Sequence, residues 1–194
     1  LEGLCHTYID KSANLNMALK VILNAKLRNT AICGATETVL LNEKLLKKFS
    51  KALITKLESN KCVVYTDNKI RKIYKGNTIL ASEKNWKTEY LASKVSIKSV
   101  KDVNEAIRHI NKYGTKHTDA IICRNKRTSE IFLKNVKSSI TMHNTSTQFA
   151  DGGEFGFGAE VGISTNNLPP RGPVGLGQLV SYKYEVFGTG QIRK

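Results

Sequence analysis

Apolar positions along the chain follow two different periods, and the switches between them outline its elements. Over residues 13–26, Leu15, Ala18, Leu19, Ile22 and Leu23 recur at three- and four-residue spacing, one face of a helix. Asp10 or Ser12 stands where a cap would accept the first free N–H groups. Tyr8-Ile9-Asp10 reads as the end of a strand feeding that helix. A β-prone run over 38–42 follows, then a second helix over 43–59 with Leu45, Leu46, Phe49, Leu53, Ile54 and Leu57 as its stripe. Residues 62–66 form a short continuous apolar strand, and 67–74 hold one or two helical turns. Residues 86–91 show neither period.

Beyond this the alternation becomes regular: strands over 95–99, 119–123 and 140–143, helices over 103–113 and 127–135. Strands alternating with helices of about ten residues predict α/β units around a mainly parallel sheet. Such a sheet carries helices on both faces, so its inner strands are apolar throughout, as Ala120-Ile121-Ile122-Cys123 is.

At Thr145 the pattern dissolves. Residues 145–177 are rich in glycine and polar side chains, as in Asp151-Gly152-Gly153-Glu154-Phe155-Gly156-Phe157-Gly158-Ala159-Glu160. No Gly-x-Gly-x-x-Gly opens a helix after a strand here, so the stretch is not a dinucleotide fingerprint. It reads either as an ordered loop with tight turns or as a functional loop. Residues 179–187 alternate β-formers before Gly188-Thr189-Gly190 and read as an extended arm suited to pair with a partner's sheet edge.

Composition narrows the function classes. The chain has 194 residues, 40% hydrophobic and 24% charged, which suits a globular protein with a proper core. No apolar run reaches the roughly 18 residues of a membrane span. The N-terminus lacks the basic start and apolar centre of a signal peptide, and no initiator Met precedes Leu1, so a cytoplasmic fragment of a longer protein is expected. The net charge of +15 suggests nucleic-acid binding. Against that, the lysines are dispersed and not interleaved with aromatics, and the excess of Lys over Arg, with abundant Asn and Ile, fits an AT-rich coding sequence. The reading is therefore no nucleic acid, with a basic surface able to attract anionic small molecules.

Cys5, Cys33, Cys62 and Cys123 form no Cys-x-x-Cys pair and have no nearby His at ligand spacing. Four reduced thiols and no metal site are expected. Cys33 stands out because it lies on the irregular segment between the first helix and the 38–42 strand, among small neighbours. It is either a thiolate nucleophile on an open loop or a small buried hydrophobe.

Several segments together resemble the γ-glutamyl phosphate reductases, or glutamate-5-semialdehyde dehydrogenases, of the aldehyde dehydrogenase superfamily. They are Cys5-His6-Thr7-Tyr8-Ile9-Asp10, Asn24-Ala25-Lys26, Cys33 with Glu37-Thr38, Thr88-Glu89-Tyr90-Leu91, His117-Thr118-Asp119-Ala120-Ile121 and Asn144-Thr145-Ser146-Thr147. The Gly-rich segment 151–165, then Arg171-Gly172-Pro173-Val174-Gly175-Leu176 and Tyr182-Lys183-Tyr184, complete the series in order. The resemblance is to the C-terminal half of such a protein.

It implies an aldehyde-dehydrogenase-like three-layer αβα catalytic domain with a C-terminal oligomerisation arm. The division it implies is 1–27 as the tail of a cofactor-binding domain, 28–147 as the catalytic domain, 148–177 as a Gly-rich return and 178–194 as the arm. The implied activity is NADPH-dependent reduction of L-glutamyl 5-phosphate to L-glutamate 5-semialdehyde with release of phosphate, in proline biosynthesis. Cys33 matches the nucleophile that forms a thioester, and Lys26 or Arg28 is expected to lower its pKa. Glu89 matches a carboxylate on the nicotinamide ribose. His117 and Asn144 match positions near the active cleft, as substrate-binding candidates. Asp151 and Glu154 are candidates for the substrate's α-amino group or for turns of their own loop. Implied partners are the substrate, a homo-oligomer or a separate N-terminal half, and a glutamate 5-kinase.

The chain departs from the family pattern at Arg28-Asn29-Thr30, where Gln-Arg-Pro is usual, and at Gly34, His143 and Gln148. At 148 the usual residue is an arginine, whose fork suits a carboxylate or phosphate. Three readings follow: an active reductase once its missing part is supplied, an inactive degenerate or split-gene product, or a basic non-enzymatic binding module.

Overall fold

The computed structural model describes residues 3–193. Leu1, Glu2 and Lys194, at the outer ends of the expected segments 1–27 and 178–194, lie outside the described residues. The elements run β1 (Cys5–Ile9), α1 (Leu15–Leu27), β2 (Thr36–Asn42), α2 (Leu46–Ser59), β3 (Val63–Thr66), α3 (Asn68–Ile73) and β4 (Ile79–Leu80). They continue as β5 (Lys94–Val100), α4 (Val103–Tyr113), β6 (Thr118–Ile122), α5 (Lys126–Asn135), β7 (Ile140–His143), β8 (Gly162–Ser164) and β9 (Gly172–Val174). The first seven strands form one parallel sheet in the order β4-β3-β5-β2-β1-β6-β7. β8 and β9 pair antiparallel as a separate ribbon.

Strand periodicity assigns the two faces. In β2, Val39 and Leu41 join one core cluster and Leu40 the other; in β1, Ile9 and Tyr8 divide in the same way. The first cluster lies under α1, α2 and α3, with Ile22, Phe49, Leu53, Ile54 and Ile70. The second lies under α4 and α5, with Ala106, Ile110 and Phe132. Helices thus cover both faces, as a parallel sheet requires. A third cluster, Ala120, Ile140, Met142, Ala150 and Ile163, packs the return segment against the β6–β7 side.

Short polar residues start the helices. The side chains of Asn14, Asp67, Asp102 and Asn125 accept from the N–H groups of Met17, Ile70, Glu105 and Thr128. The cap of α1 is therefore Asn14, not Asp10 or Ser12. Asp10 instead accepts from the Ser12 N–H and hydroxyl, an Asx turn that precedes the helix.

Other sequence expectations are corrected in detail. Residues 43–45 form a 3-10 turn rather than the start of α2. β3 is not uniformly buried: Val63 is exposed because only the two-residue β4 lies beyond it. β4 itself and the β8–β9 ribbon carry no period long enough to read. Residues 179–193 form no strand, and Leu179, Val180, Tyr182, Tyr184, Val186 and Phe187 are exposed. β-formers in alternation make a strand only where a ladder partner exists. β1 is hydrogen-bonded between β2 and β6, so residues 5–9 share one sheet with the strands that follow. Among the described residues no helix is long and apolar enough to cross a membrane.

Candidate active site

Because the seven strands are parallel, every segment that enters a strand lies at the same end of the sheet. Gly3 precedes β1, the Cys33 segment precedes β2, Glu89 and Tyr90 precede β5, and His117 precedes β6. The topology thus gathers residues from three other, distant stretches around Cys33.

The Cys33 loop is held at its base by a buried ion pair. Lys26 Nζ lies 2.6 Å from Glu37 Oε2, and both side chains are fully buried. Lys26 is in the last turn of α1 and Glu37 is the second residue of β2, so the pair closes the loop between them. Glu37 Oε1 accepts from the Leu91 N–H at 3.3 Å, and Lys26 Nζ is 6.0 Å from the centre of the Tyr90 ring. The Glu89 segment is therefore fixed to the same pair. Burial pushes the Glu37 carboxyl up to about 7, against the pull of Lys26 and the Leu91 and Tyr90 N–H groups.

Cys33 itself is exposed. Gly3 runs so close beneath it that a Cβ there would fall 2.6 Å from Cys33 Cβ, which only glycine avoids. The Cys33 carbonyl accepts from Cys5 Sγ at 3.1 Å, and Cys5 Sγ lies 3.5 Å from His117 Nδ1. His117 is buried, and desolvation lowers its pKa, so it is neutral. It meets Cys33 only through Cys5.

The Cys33 thiol is held above its ordinary value, first by desolvation, then by the charges of Glu160 and Glu89. This overturns the expectation that Lys26 or Arg28 lowers it. Lys26 Nζ is engaged by Glu37 Oε2, and Arg28 Nε donates to Gln148 Oε1 at 2.9 Å. Glu160 is brought near by its carboxylate, whose Oε2 accepts from the Gly152 N–H at 2.8 Å.

The remaining candidates divide. Glu89 is half-buried, with Oε1 accepting from the Gly3 N–H at 2.9 Å. Among the described residues Oε2 has no protein hydrogen-bond partner. Asn144 lies at the opposite end of the sheet, in the left-handed region at φ 57°. Its amide accepts from the Cys123 N–H and donates to the Cys123 carbonyl, joining the ends of β6 and β7. Asp151 Oδ2 accepts from the N–H groups of Gly153 and Glu154, a turn of its own loop. Asp151 and Glu154 also line a cavity of about 430 Å³ with Arg28 and Gln148. A hydroxyl ladder, Thr7 to Thr36 at 2.8 Å and Thr36 to Thr147 at 2.9 Å, ties this return segment to the sheet. Among the described residues no cluster of His, Cys, Asp and Glu is placed to hold a metal ion.

Sequence reasoning missed Glu37, Glu160 and Gly3. Glu37 and the buried state of Lys26 had a signal. Lys26 falls four residues after Ile22 on the buried stripe of α1, and Glu37 interrupts a buried strand. Glu160 and Gly3 had none, because their proximity to Cys33 depends on chain crossings far apart in sequence.

No family model matches the chain. It is 50% identical over 193 residues to the γ-glutamyl phosphate reductase of Bartonella quintana, covering all of this chain and 46% of that protein. The crystal structure of γ-glutamyl phosphate reductase from Thermotoga maritima superposes with a TM-score of 0.96 at 41% identity, over 100% of this chain and 47% of that one. An acetylating aldehyde dehydrogenase from Geobacillus thermoglucosidasius shares the fold at a TM-score of 0.73 and 17% identity, over 100% of this chain and 52% of its own. The chain spans about half the length of the relatives it matches.

Proposed function

We propose that this chain, which belongs to the γ-glutamyl phosphate reductase family of the aldehyde dehydrogenase superfamily, provides the acyl-accepting part of a cytoplasmic enzyme of proline biosynthesis. The reaction is reduction of L-glutamyl 5-phosphate to L-glutamate 5-semialdehyde with release of phosphate. The observation that carries this reading is Cys33, an exposed thiol on a loop closed at its base by the buried Lys26–Glu37 pair.

In the first half-reaction the Cys33 sulfur, having lost its proton, bonds to the acyl carbon, and the bond from that carbon to the phosphate oxygen breaks. A thioester and inorganic phosphate result. The raised thiol leaves little thiolate at neutral pH. An acyl phosphate is activated enough for that small fraction to suffice. NADPH, when bound, supplies the hydride that reduces the thioester. Glu89 is the residue of this chain that would hold its ribose, through the carboxylate oxygen left over from Gly3. His117 acts through Cys5 on the Cys33 carbonyl and so positions the loop. In this reading residues 28–147 are the catalytic portion, 148–177 close over it and 178–194 serve subunit association.

Acetyl phosphate, a small acyl phosphate, tests the reading without the rest of the substrate. The expected result is one acetyl group on the peptide holding Cys33, removed by hydroxylamine and absent in Cys33→Ser. Thioester on Cys5, Cys62 or Cys123 instead, or on no cysteine, overturns it.

A further inference from the structure

The four thiols divide by placement. Cys62 belongs to the first core cluster, and Cys123 belongs to the second, past the end of β6 that points away from the Cys33 loop. Cys5 is buried at the start of β1, and its sulfur lies 3.1 Å from the Cys33 carbonyl oxygen. The chain around that contact is close as well: a Cβ on Gly3, two residues before Cys5, would fall 2.6 Å from Cys33 Cβ. Standard bond lengths put the Cys5 sulfur within about 6 Å of Cys33 Cα. A disulfide bridges Cα atoms about 4.4–6.8 Å apart. Turning the Cys33 side chain inward closes the remaining gap, on a loop where residues 29–35 form neither helix nor strand.

The acyl-transfer reading uses Cys5 only to hold the loop, yet Cys5 is a nucleophile with a base beside it. His117 Nδ1 is 3.5 Å from Cys5 Sγ, and desolvation keeps the ring neutral and able to take a proton. Burial keeps the proton on Cys5, so this thiol reacts only with an electrophile brought to it. Cys33 is the thiol that solutes reach. Oxidation of Cys33 creates such an electrophile on the adjoining loop.

We infer that Cys33 and Cys5 form a redox modification site, in which a hydroperoxide oxidises Cys33 and Cys5 resolves the product as a Cys5–Cys33 disulfide. In the first step the Cys33 thiolate attacks one peroxide oxygen and the O–O bond breaks. With hydrogen peroxide the products are a sulfenic acid and hydroxide; the sulfur loses two electrons and the peroxide gains them. In the second step the Cys5 sulfur bonds to the Cys33 sulfur and the S–O bond breaks. His117 takes the Cys5 proton and passes it to the departing hydroxide, so water leaves. The carboxylates of Glu160 and Glu89 hold the proton on Cys33 and make the first step slow, so the site responds to peroxide in excess. The disulfide blocks the exposed thiol, shields it from irreversible oxidation to the sulfinic acid, and is undone by thiols. Neither step needs acyl transfer.

Treatment of the full chain with excess hydrogen peroxide, followed by N-ethylmaleimide, trypsin and mass spectrometry, tests this. Cleavage after Lys11, Arg28 and Lys44 leaves Cys5 on residues 1–11 and Cys33 on residues 29–44. The expected product is these two peptides joined by a disulfide, in a yield independent of protein concentration and reversed by dithiothreitol. In Cys5→Ser the link should vanish, and the sulfenic acid trapped on Cys33 by dimedone should rise about fivefold or more. The native chain carries the test even if that variant does not fold. Cys33 passing to the sulfinic acid with no linked peptide overturns the inference, as does Cys33 left unoxidised. A link from Cys33 to Cys62, to Cys123 or to a second chain, in place of Cys5, overturns it too. If the Cys5–Cys33 link forms while acetyl phosphate leaves no thioester, the acyl-transfer reading falls and the redox site stands. If the thioester forms and the link does not, the reverse holds.

Discussion

Cys33 is exposed, yet its thiol is held high by its surroundings, with desolvation first and the carboxylates of Glu160 and Glu89 next. Removing one of those charges should favour the thiolate. Glu160→Gln keeps an oxygen for the Gly152 N–H, and it should raise the rate of Cys33 alkylation by iodoacetamide at pH 8 by roughly two- to fivefold. The rate profile of the native chain should have its midpoint above the ordinary thiol value of 9.0. A midpoint below that value would show a cationic influence that the geometry does not provide. Lys26 and Glu37 call for a different experiment. Lys26→Met strands a buried carboxylate and should cost about 3–5 kcal/mol in urea unfolding. Without Lys26 the Glu37 carboxyl rises further above its unfolded value of 4.5. The folded state then binds the extra proton, and stability is lost as pH rises through the folded pKa. The deficit should therefore be larger at pH 8 than at pH 6. Adding Glu37→Leu removes the stranded charge and should recover most of the loss.

α1 shows how far local chemistry decides an element. Its buried face, Ala18, Ile22, Ala25 and Lys26, follows helical spacing, and its start is set by whichever short polar side chain reaches a free N–H. Asp10, Ser12 and Asn14 all qualify by type. Asn14 is the cap because the chain leaves β1 through the Asp10 turn, which uses Asp10 and Ser12 on each other. Asn14→Ala should thus destabilise the protein by about 1 kcal/mol by thermal or urea melting. Ser12→Ala, by contrast, should act through the Arg124 and Asn125 N–H groups that its hydroxyl accepts. The helices α4 and α5 were legible almost to the residue, because a strong apolar stripe and an Asp or Asn cap agree at each. β4 and the β8–β9 ribbon were not, since two or three residues cannot display a period.

For the whole molecule, the exposed 179–193 segment is the least integrated part. Its apolar side chains reach no core cluster among the described residues, so deleting 179–194 should leave the midpoint of thermal unfolding within about 2 °C of the intact chain. The same deletion should lower the assembly state in analytical ultracentrifugation if the arm joins subunits. An unchanged sedimentation coefficient would remove that role. The parallel sheet was legible from alternating strands and helices, because burial on both faces forces apolar strands and covering helices into one pattern. Cys33 and Glu89 stood out by motif, each within its own segment.

What surrounds them was not legible. Glu160 near the thiol, Gly3 beneath it and Gln148 orienting Arg28 are encounters between segments tens of residues apart. Periodicity and capping act over a few residues, and they determined the helices, the strands and the class of fold. The parallel topology brings the strand-entering segments to one end of the sheet, and burial there makes charges act strongly on one another. That tertiary arrangement alone decided that Lys26 serves Glu37 rather than the thiol, that Asn144 stands apart from it, and that the cavity faces carry opposite charges.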